Sequence, residues 1–212
     1  MKIAVLFASV LASCASFAAT PIDGWYTSLF GGYTYIPSNI DKTRFGLTRD
    51  HATYQSGFEG GGNFGFKSNP MRYEGDVTYL KASTNAFQIN RVPQTDVSGY
   101  NQAIFGLANV YYDFPGFSTL LQPYLGAGLG YGWIQTRLNS FGPTGTTSFT
   151  AVNSAFAYQG TGGVTFNFAE NYALSLGYRY ISTLNLYEFG ERFQAHIANL
   201  GATYRFDGNN YK

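Results

Sequence analysis

"NLGATYRF", Asn199 to Phe206, is the stretch on which the fold turns. Asn199, Gly201, Thr203 and Arg205 alternate with Leu200, Ala202, Tyr204 and Phe206. Successive side chains of a strand point to opposite faces, so this stretch has one apolar face and one small or polar face. What the apolar face meets, a protein core or lipid, decides the architecture.

The alternation recurs through the chain. Trp25, Thr27, Leu29, Tyr33 and Tyr35 share a face, as do Phe58, Gly60, Gly62, Phe64 and Phe66. Tyr73, Val77 and Tyr79 alternate with Arg72, Glu74, Asp76 and Thr78; Ile104, Ala108, Val110, Tyr112 and Phe114 follow. "PYLGAGLGYGW" (123–133) sets Leu125, Ala127, Leu129, Tyr131 and Trp133 against glycines, and two further runs centre on Phe166 and Leu176. Period-two patterning over eight such segments predicts an all-β chain.

Short and long connections alternate in strict order. Ser68–Pro70, Pro115–Leu121 and Ala169–Asn171 read as tight turns. Between them, residues 37–53, 83–97, 135–154 and 182–194 read as long polar loops. Short turns on one rim and long loops on the other are the habit of outer-membrane barrels.

Composition supports lipid as the answer. Of 212 residues only 12% are charged, where a soluble domain carries about 25%. The apolar faces hold almost no charge, whereas the opposite faces hold Glu59, Asn63, Lys67, Arg72, Glu74, Asp76, Gln159, Asn167, Arg179, Asn199 and Arg205. A closed barrel satisfies its backbone polar groups in hydrocarbon. The expectation is an eight-stranded antiparallel transmembrane β-barrel with short periplasmic turns and long extracellular loops, set in the cell outer membrane.

The N-terminus reads as an export signal: Lys2, the apolar run from Ile3 to Leu11, and "SFA" (16–18) as a cleavage site. The expected organisation is a signal peptide over 1–18, a barrel over 19–206 and a polar tail over 207–212. "LASC" resembles a lipoprotein box, an alternative that would keep Cys14 as a lipidated first residue. Loss of Lys2 leaves a formally neutral protein with no electrostatic case for nucleic acid. Cys14, the single cysteine, supports neither a disulfide framework nor a cysteine metal site.

"GGYTY", "FEGGGNFGFKSNPMRYEGDVTYLK", "ANVYYDF", "QPYLGAGLGYGW" and "LSLGYRY" together resemble the opacity-protein-like, OmpA-type family of outer-membrane barrels. The resemblance spans Gly24 to Phe206. It implies surface antigen and adhesin roles in a Gram-negative outer membrane, beside lipid and lipopolysaccharide. "NLGATYRF" also resembles the signal read by the barrel-assembly machinery, which would fall on Asn199, Gly201, Tyr204 and Phe206. The tail "DGNNYK" departs from a pattern that commonly ends on the last aromatic.

The interior charges Glu59, Arg72, Glu74, Asp76, Arg179 and Arg205 are expected to pair as a plug. An eight-stranded barrel is just wide enough for side chains to fill, and an unpaired buried charge is costly. "GAGLGYG" has G-x-G spacing, but no helix follows it. Neither His51-Ala52-Thr53 nor His196-Ile197-Ala198 has the His and Ser, two apart, of lipid A deacylases. No metal, cofactor or catalytic set emerges, and the chain reads as a monomeric non-enzyme. Function then falls to the outer loops, with Arg44, Arg49, His51, Phe141, Phe149, Tyr187, Phe189 and Phe193 either as candidate contacts to host-surface or matrix molecules or packed over the barrel mouth or among lipopolysaccharide headgroups. A small barrel enzyme acting on lipid A or peptide, or a narrow passive pore, stands as the alternative.

Overall fold

A computed structural model describes residues 22–37, 40–44, 48–89, 92–93, 95–115, 118, 120–142, 145–184 and 192–206. For residues 40–44, 48–55, 84–89, 92–93, 95–99, 136, 138–142, 145–149 and 151 the description covers the backbone alone.

The strands are β1 (Gly24–Tyr35), β2 (Ile40–Arg44), β3 (Thr48–Ser68), β4 (Met71–Ile89), β5 (Val92–Pro93) and β6 (Thr95–Asp113). They continue as β7 (Leu121–Gly142), β8 (Gly145–Asn167), β9 (Tyr172–Thr183) and β10 (Gln194–Arg205). Setting aside the short outer strands β2 and β5, eight strands close an antiparallel barrel. Each pairs with its chain neighbour, and β1 pairs with β10 through Tyr26↔Arg205 to Tyr35↔His196. Closure removes both sheet edges, so the strands leave no row of unpaired backbone groups to lipid.

Side-chain parity follows the sequence. Leu29 is 73% exposed and its outward neighbours on β10, Leu200 and Tyr204, share that face, while Ser28 and Arg205 are buried. Two aromatic belts bound the outward apolar band. Near the short-turn rim, ring contacts run from Trp25 through Phe64, Phe206, Tyr204, Tyr172 and Phe168 to Phe166. Near the other rim, His196 packs among Tyr35, Tyr178 and Tyr180. A rise of about 3.3 Å per residue between Tyr204 and His196, on a strand tilted about 40°, sets the belts roughly 20 Å apart.

Three of the expected long loops are instead largely strand. β7 and β8 stay in register from Leu121↔Phe166 up to Gly142↔Gly145, and β8 alone runs 23 residues. β3, β4 and β6 likewise extend into the segments read as loops. Stretches such as "GTTSFTAVNSAF" are polar enough to read as loop, yet rich in Thr, Val and Phe. Above the membrane their backbones satisfy one another by pairing, and those residues fit a pleated surface.

Candidate functional site

The barrel interior is the first place to look for chemistry, and it is filled in three tiers. At the short-turn end Lys67 Nζ lies 2.9 Å from Asp113 Oδ2 and donates to Gln122 Oε1 at 3.0 Å. Arg72 Nε donates to Asp113 Oδ1 at 2.8 Å, and Arg205 Nη2 donates to Asn167 Oδ1 at 2.6 Å. β3, β4, β6, β7, β8 and β10 therefore meet at the barrel floor.

One tier up, Glu74 accepts from Tyr26 Oη at 2.5 Å, from Asn63 Nδ2 at 2.9 Å and from Arg72 Nη1 at 3.3 Å. The Arg72 guanidinium lies 4.8 Å from the Tyr111 ring centre and 5.0 Å from that of Tyr124. Arg72, Asn63 and Glu74 border a polar cavity of about 50 Å³, a size and polarity suited to water.

Above this, Arg179 Nη2 lies 3.2 Å from Asp76 Oδ2 and Nη1 lies 3.5 Å from Glu59 Oε2. Arg179 also donates to Gln159 Oε1 at 2.8 Å and to Thr78 Oγ1 at 3.2 Å. Asn109 Nδ2 donates to Asp76 Oδ2 at 2.7 Å, and Gln159 Nε2 donates to Asn109 Oδ1. The cations Lys67, Arg72, Arg179 and Arg205 thus sit with the carboxylates Glu59, Glu74, Asp76 and Asp113 in a formally neutral interior. The tiers bring Glu59, Asp76 and Arg179 together, and Arg72 with Glu74, while Arg205 bonds an amide and the Glu170 carbonyl.

The outer third of the interior is largely apolar, with Thr34, Asn101 and Thr183 as buried polar neighbours. Ile36, Leu80, Phe105, Leu107, Ile134, Ile181 and Ile197 form an apolar cluster there, closed by Phe193. Of the two readings for the loop aromatics, Phe193 follows packing over the barrel mouth and not exposed contact: it is 3% exposed and packs against Phe105 at 5.8 Å between ring centres. Its N–H donates to Thr183 Oγ1 at 3.1 Å and its carbonyl accepts from the Thr183 N–H at 3.0 Å. That anchoring to the end of β9 turns the ring inward, where burial of a large apolar surface outweighs a solvent position.

The other loop candidates divide. Arg44 pairs with Thr48, Thr43 with Arg49 and Asp41 with His51 in the β2–β3 hairpin; Phe141 pairs with Thr146 and Phe149 with Leu138 in β7–β8. Tyr187 and Phe189 lie outside the described residues. His196 is on the outward face, its Nδ1 2.6 Å from Tyr178 Oη. Among the described residues no group of three His, Cys, Asp or Glu side chains could hold a metal ion.

On the last strand, Tyr204 and Phe206 are outward in the lower belt, while Gly201 is buried and Asn199 faces inward. A Cβ on Gly201 would come within 2.5 Å of Ser175 Oγ, so the glycine leaves room for that side chain on the inward face.

Asp113 and the interior tyrosines Tyr26, Tyr111 and Tyr124 are members of the interior network that sequence reasoning did not name. Asp113 was legible, since it shares parity with Asn109 between outward Tyr112 and Phe114. The tyrosines share the inward parity as well, but an aromatic residue on the polar face does not by itself mark which charge it will meet.

Comparison with known proteins agrees with this geometry. A candidate adhesin of Rickettsia bellii (strain OSU 85-389) is 25% identical over 227 residues, covering 98% of each chain. Neisserial surface protein A superposes with a TM-score of 0.56 at 18% identity, over 86% of this chain and 97% of that one. OprG of Pseudomonas aeruginosa gives 0.55 at 10% identity, over 89% and 100%; the attachment invasion locus protein Ail of Yersinia pestis gives 0.52 at 16%, over 86% and 100%. The model of the outer membrane protein beta-barrel domain matches residues 4–206. With eight strands closed, lipid-facing aromatics and a charged interior, the chain belongs to the outer-membrane β-barrel protein family and resides in the outer membrane.

Proposed function

We propose that this barrel is a sealed surface protein that acts through the strand extensions and loops of its outer rim, by contact with molecules outside the cell. The observation that carries this reading is the filled interior. A neutral network of ion pairs rises from Lys67 to Arg179, and an apolar cluster closed by Phe193 lies above it. The network serves as a plug, so among the described residues neither a conducting path nor a substrate cavity runs through the charged interior. The cavity of about 50 Å³ is of a size for water and far below that of a lipid or a peptide.

What remains is the part that projects. The β2–β3 and β7–β8 hairpins continue past the outer aromatic belt and carry Arg44, Arg49, His51, Phe141 and Phe149. Tyr187 and Phe189 in the fourth loop complete a set of charges and aromatics suited to protein or glycan contact. Similarity to a candidate adhesin along nearly the whole length supports adhesion to host-surface or matrix molecules as that contact. The protein works as a monomer without catalytic residues, and the assembly machinery reads Asn199, Gly201, Tyr204 and Phe206 on its last strand.

The test is adherence of bacteria displaying the full barrel, against bacteria displaying barrels whose β2–β3 and β7–β8 hairpins are cut to tight turns just above the outer belt. Binding to host cells or matrix proteins that falls with trimming, at equal surface level, is the expected result. Equal binding overturns it. An altered lipid A profile in expressing cells would instead favour an enzyme, and discrete conductance in planar bilayers a pore.

A further inference from the structure

The interior charges cancel in sum but not along the barrel axis. In the two lower tiers the cations are Lys67, Arg72 and Arg205 and the carboxylates are Asp113 and Glu74, whereas above them Arg179 faces both Glu59 and Asp76. The lower interior therefore carries one cation in excess, and the upper interior one carboxylate. Arg205 shares a register row with Tyr26 and Gly65, and Glu59 lies six residues further along β3, about 20 Å of strand. That separation is far beyond the reach of a hydrogen-bonded pair.

Arg205 is the cation left over. It is 5% exposed, and among the described residues it pairs with no carboxylate. Its Nη2 donates to Asn167 Oδ1 and its Nη1 to the Glu170 carbonyl, both neutral acceptors. Asp113, on the same floor, has each oxygen engaged, one by Arg72 and the other by Lys67. Asp23 at the rim is exposed, and its carboxylate accepts from the Asn69 N–H at 3.4 Å. A buried cation served by neutral acceptors alone is costly, and an anion beside it offsets that cost.

Arg72 supplies a second unmet donor. Its Nε and Nη1 serve Asp113 and Glu74, while its Nη2 is buried without a hydrogen-bond partner. Arg72 and Arg205 line one floor cavity of about 10 Å³, bordered also by Lys67, Thr165 and Thr203. Arg72, Thr165 and Thr203 border the cavity of about 50 Å³ as well, so the two spaces adjoin. A single water-sized occupant takes about 10–15 Å³ of such space, and a phosphate or a carboxylate group needs more. One surplus charge and a floor of this size together select a small monovalent ion.

We propose that the barrel floor binds one small monovalent anion of chloride size, held between Arg205 and the Nη2 of Arg72, with the Thr165 hydroxyl as a third donor. The ion completes the charge balance of the lower interior and ties β4, β8 and β10 together at the short-turn rim. The site is independent of what the outer hairpins contact.

The full-length barrel, refolded in zwitterionic micelles, is unfolded in urea while sodium chloride replaces sodium gluconate, whose anion is too large for the floor cavity. Fixed ionic strength holds screening constant. Between zero and about 0.5 M chloride the parent midpoint is expected to rise by about 0.5 M urea, the shift of a site filled roughly tenfold above its dissociation constant. Arg205→Gln removes the surplus charge and is expected to lose that rise, and Thr165→Val to lose at least half of it. An undiminished rise in either variant overturns the proposal, as does no rise in the parent. Bromide in crystals of the unsubstituted protein gives a reading that needs no variant, with an anomalous peak expected beside Arg72 and Arg205. Peaks confined to exposed cations such as Lys81 and Arg137, an adventitious ion only, overturn the proposal, and so does the lack of any peak.

Discussion

Asp113 accepts from Arg72 Nε at 2.8 Å through one carboxylate oxygen and meets Lys67 Nζ at 2.9 Å through the other. One side chain on β6 thereby neutralises cations from both β3 and β4 at the barrel floor. Removing it leaves two nearly buried cations sharing no carboxylate at this tier. Asp113→Ala is expected to cost about 3–5 kcal/mol, the range for breaking a buried pair by deleting one partner. Urea unfolding of the refolded barrel, followed by the gel shift between heated and unheated samples, measures it. A loss below about 1 kcal/mol would mean the pair is as weak as a solvated one.

The glycines of β7 make room for aromatic side chains of β6. A Cβ on Gly132 would lie 2.4 Å from the Phe105 ring, and one on Gly126 2.4 Å from Tyr111. Gly132→Ala is expected to destabilise by about 1–3 kcal/mol through overpacking. Gly60→Ala, whose Cβ meets nothing within 4 Å, is the control and should change stability by less than about 0.5 kcal/mol. Equal unfolding midpoints for the two variants would overturn the packing account.

Phe193 closes the outer end of the interior against Phe105. Phe193→Ala should cost about 3–5 kcal/mol, as deletions of buried aromatic side chains do. Planar bilayers containing this variant should stay silent, because the Arg179 and Arg72 tiers still fill the barrel beneath. Discrete conductance steps in Phe193→Ala would show that the apolar cluster, rather than the ion pairs, is the seal.

Tyr204 and Phe206 contact each other and their neighbours Tyr172 and Phe64 on the lower belt. Their removal tests an assembly role only if stability is separated from insertion. Phe206→Ala is expected to lower the amount of heat-modifiable protein in the outer membrane of cells several-fold. The same variant refolded in detergent should lose no more than about 1–2 kcal/mol, a half-buried ring on the outward face having less burial to forfeit than a core one. Equal proportional losses in cells and in detergent would assign the effect to stability alone.

Period-two alternation determined the strand faces, and the order of short and long connections determined which rim is which. These are local properties: the pleat forces parity on every residue, so Leu200 against Gly201, or Tyr73 against Glu74, can be assigned without knowing any partner. The scarcity of outward charge likewise made lipid the solvent of the apolar face before any contact was known. Tertiary structure alone decided what meets inside. The capture of Asp113 by Lys67 and Arg72 and the inward turn of Phe193 depend on strand register and on anchoring at Thr183, while the pairing of Arg179 with both Glu59 and Asp76 depends on distances between strands far apart in the chain. So does the apolar outer third of the interior, where Leu80, Ile134, Ile181 and Ile197 occupy inward positions that alternation would assign to polar residues. Strand parity says which way a side chain points; only closure of the barrel sets what it finds there, since closure alone brings non-neighbouring strands within reach of one another.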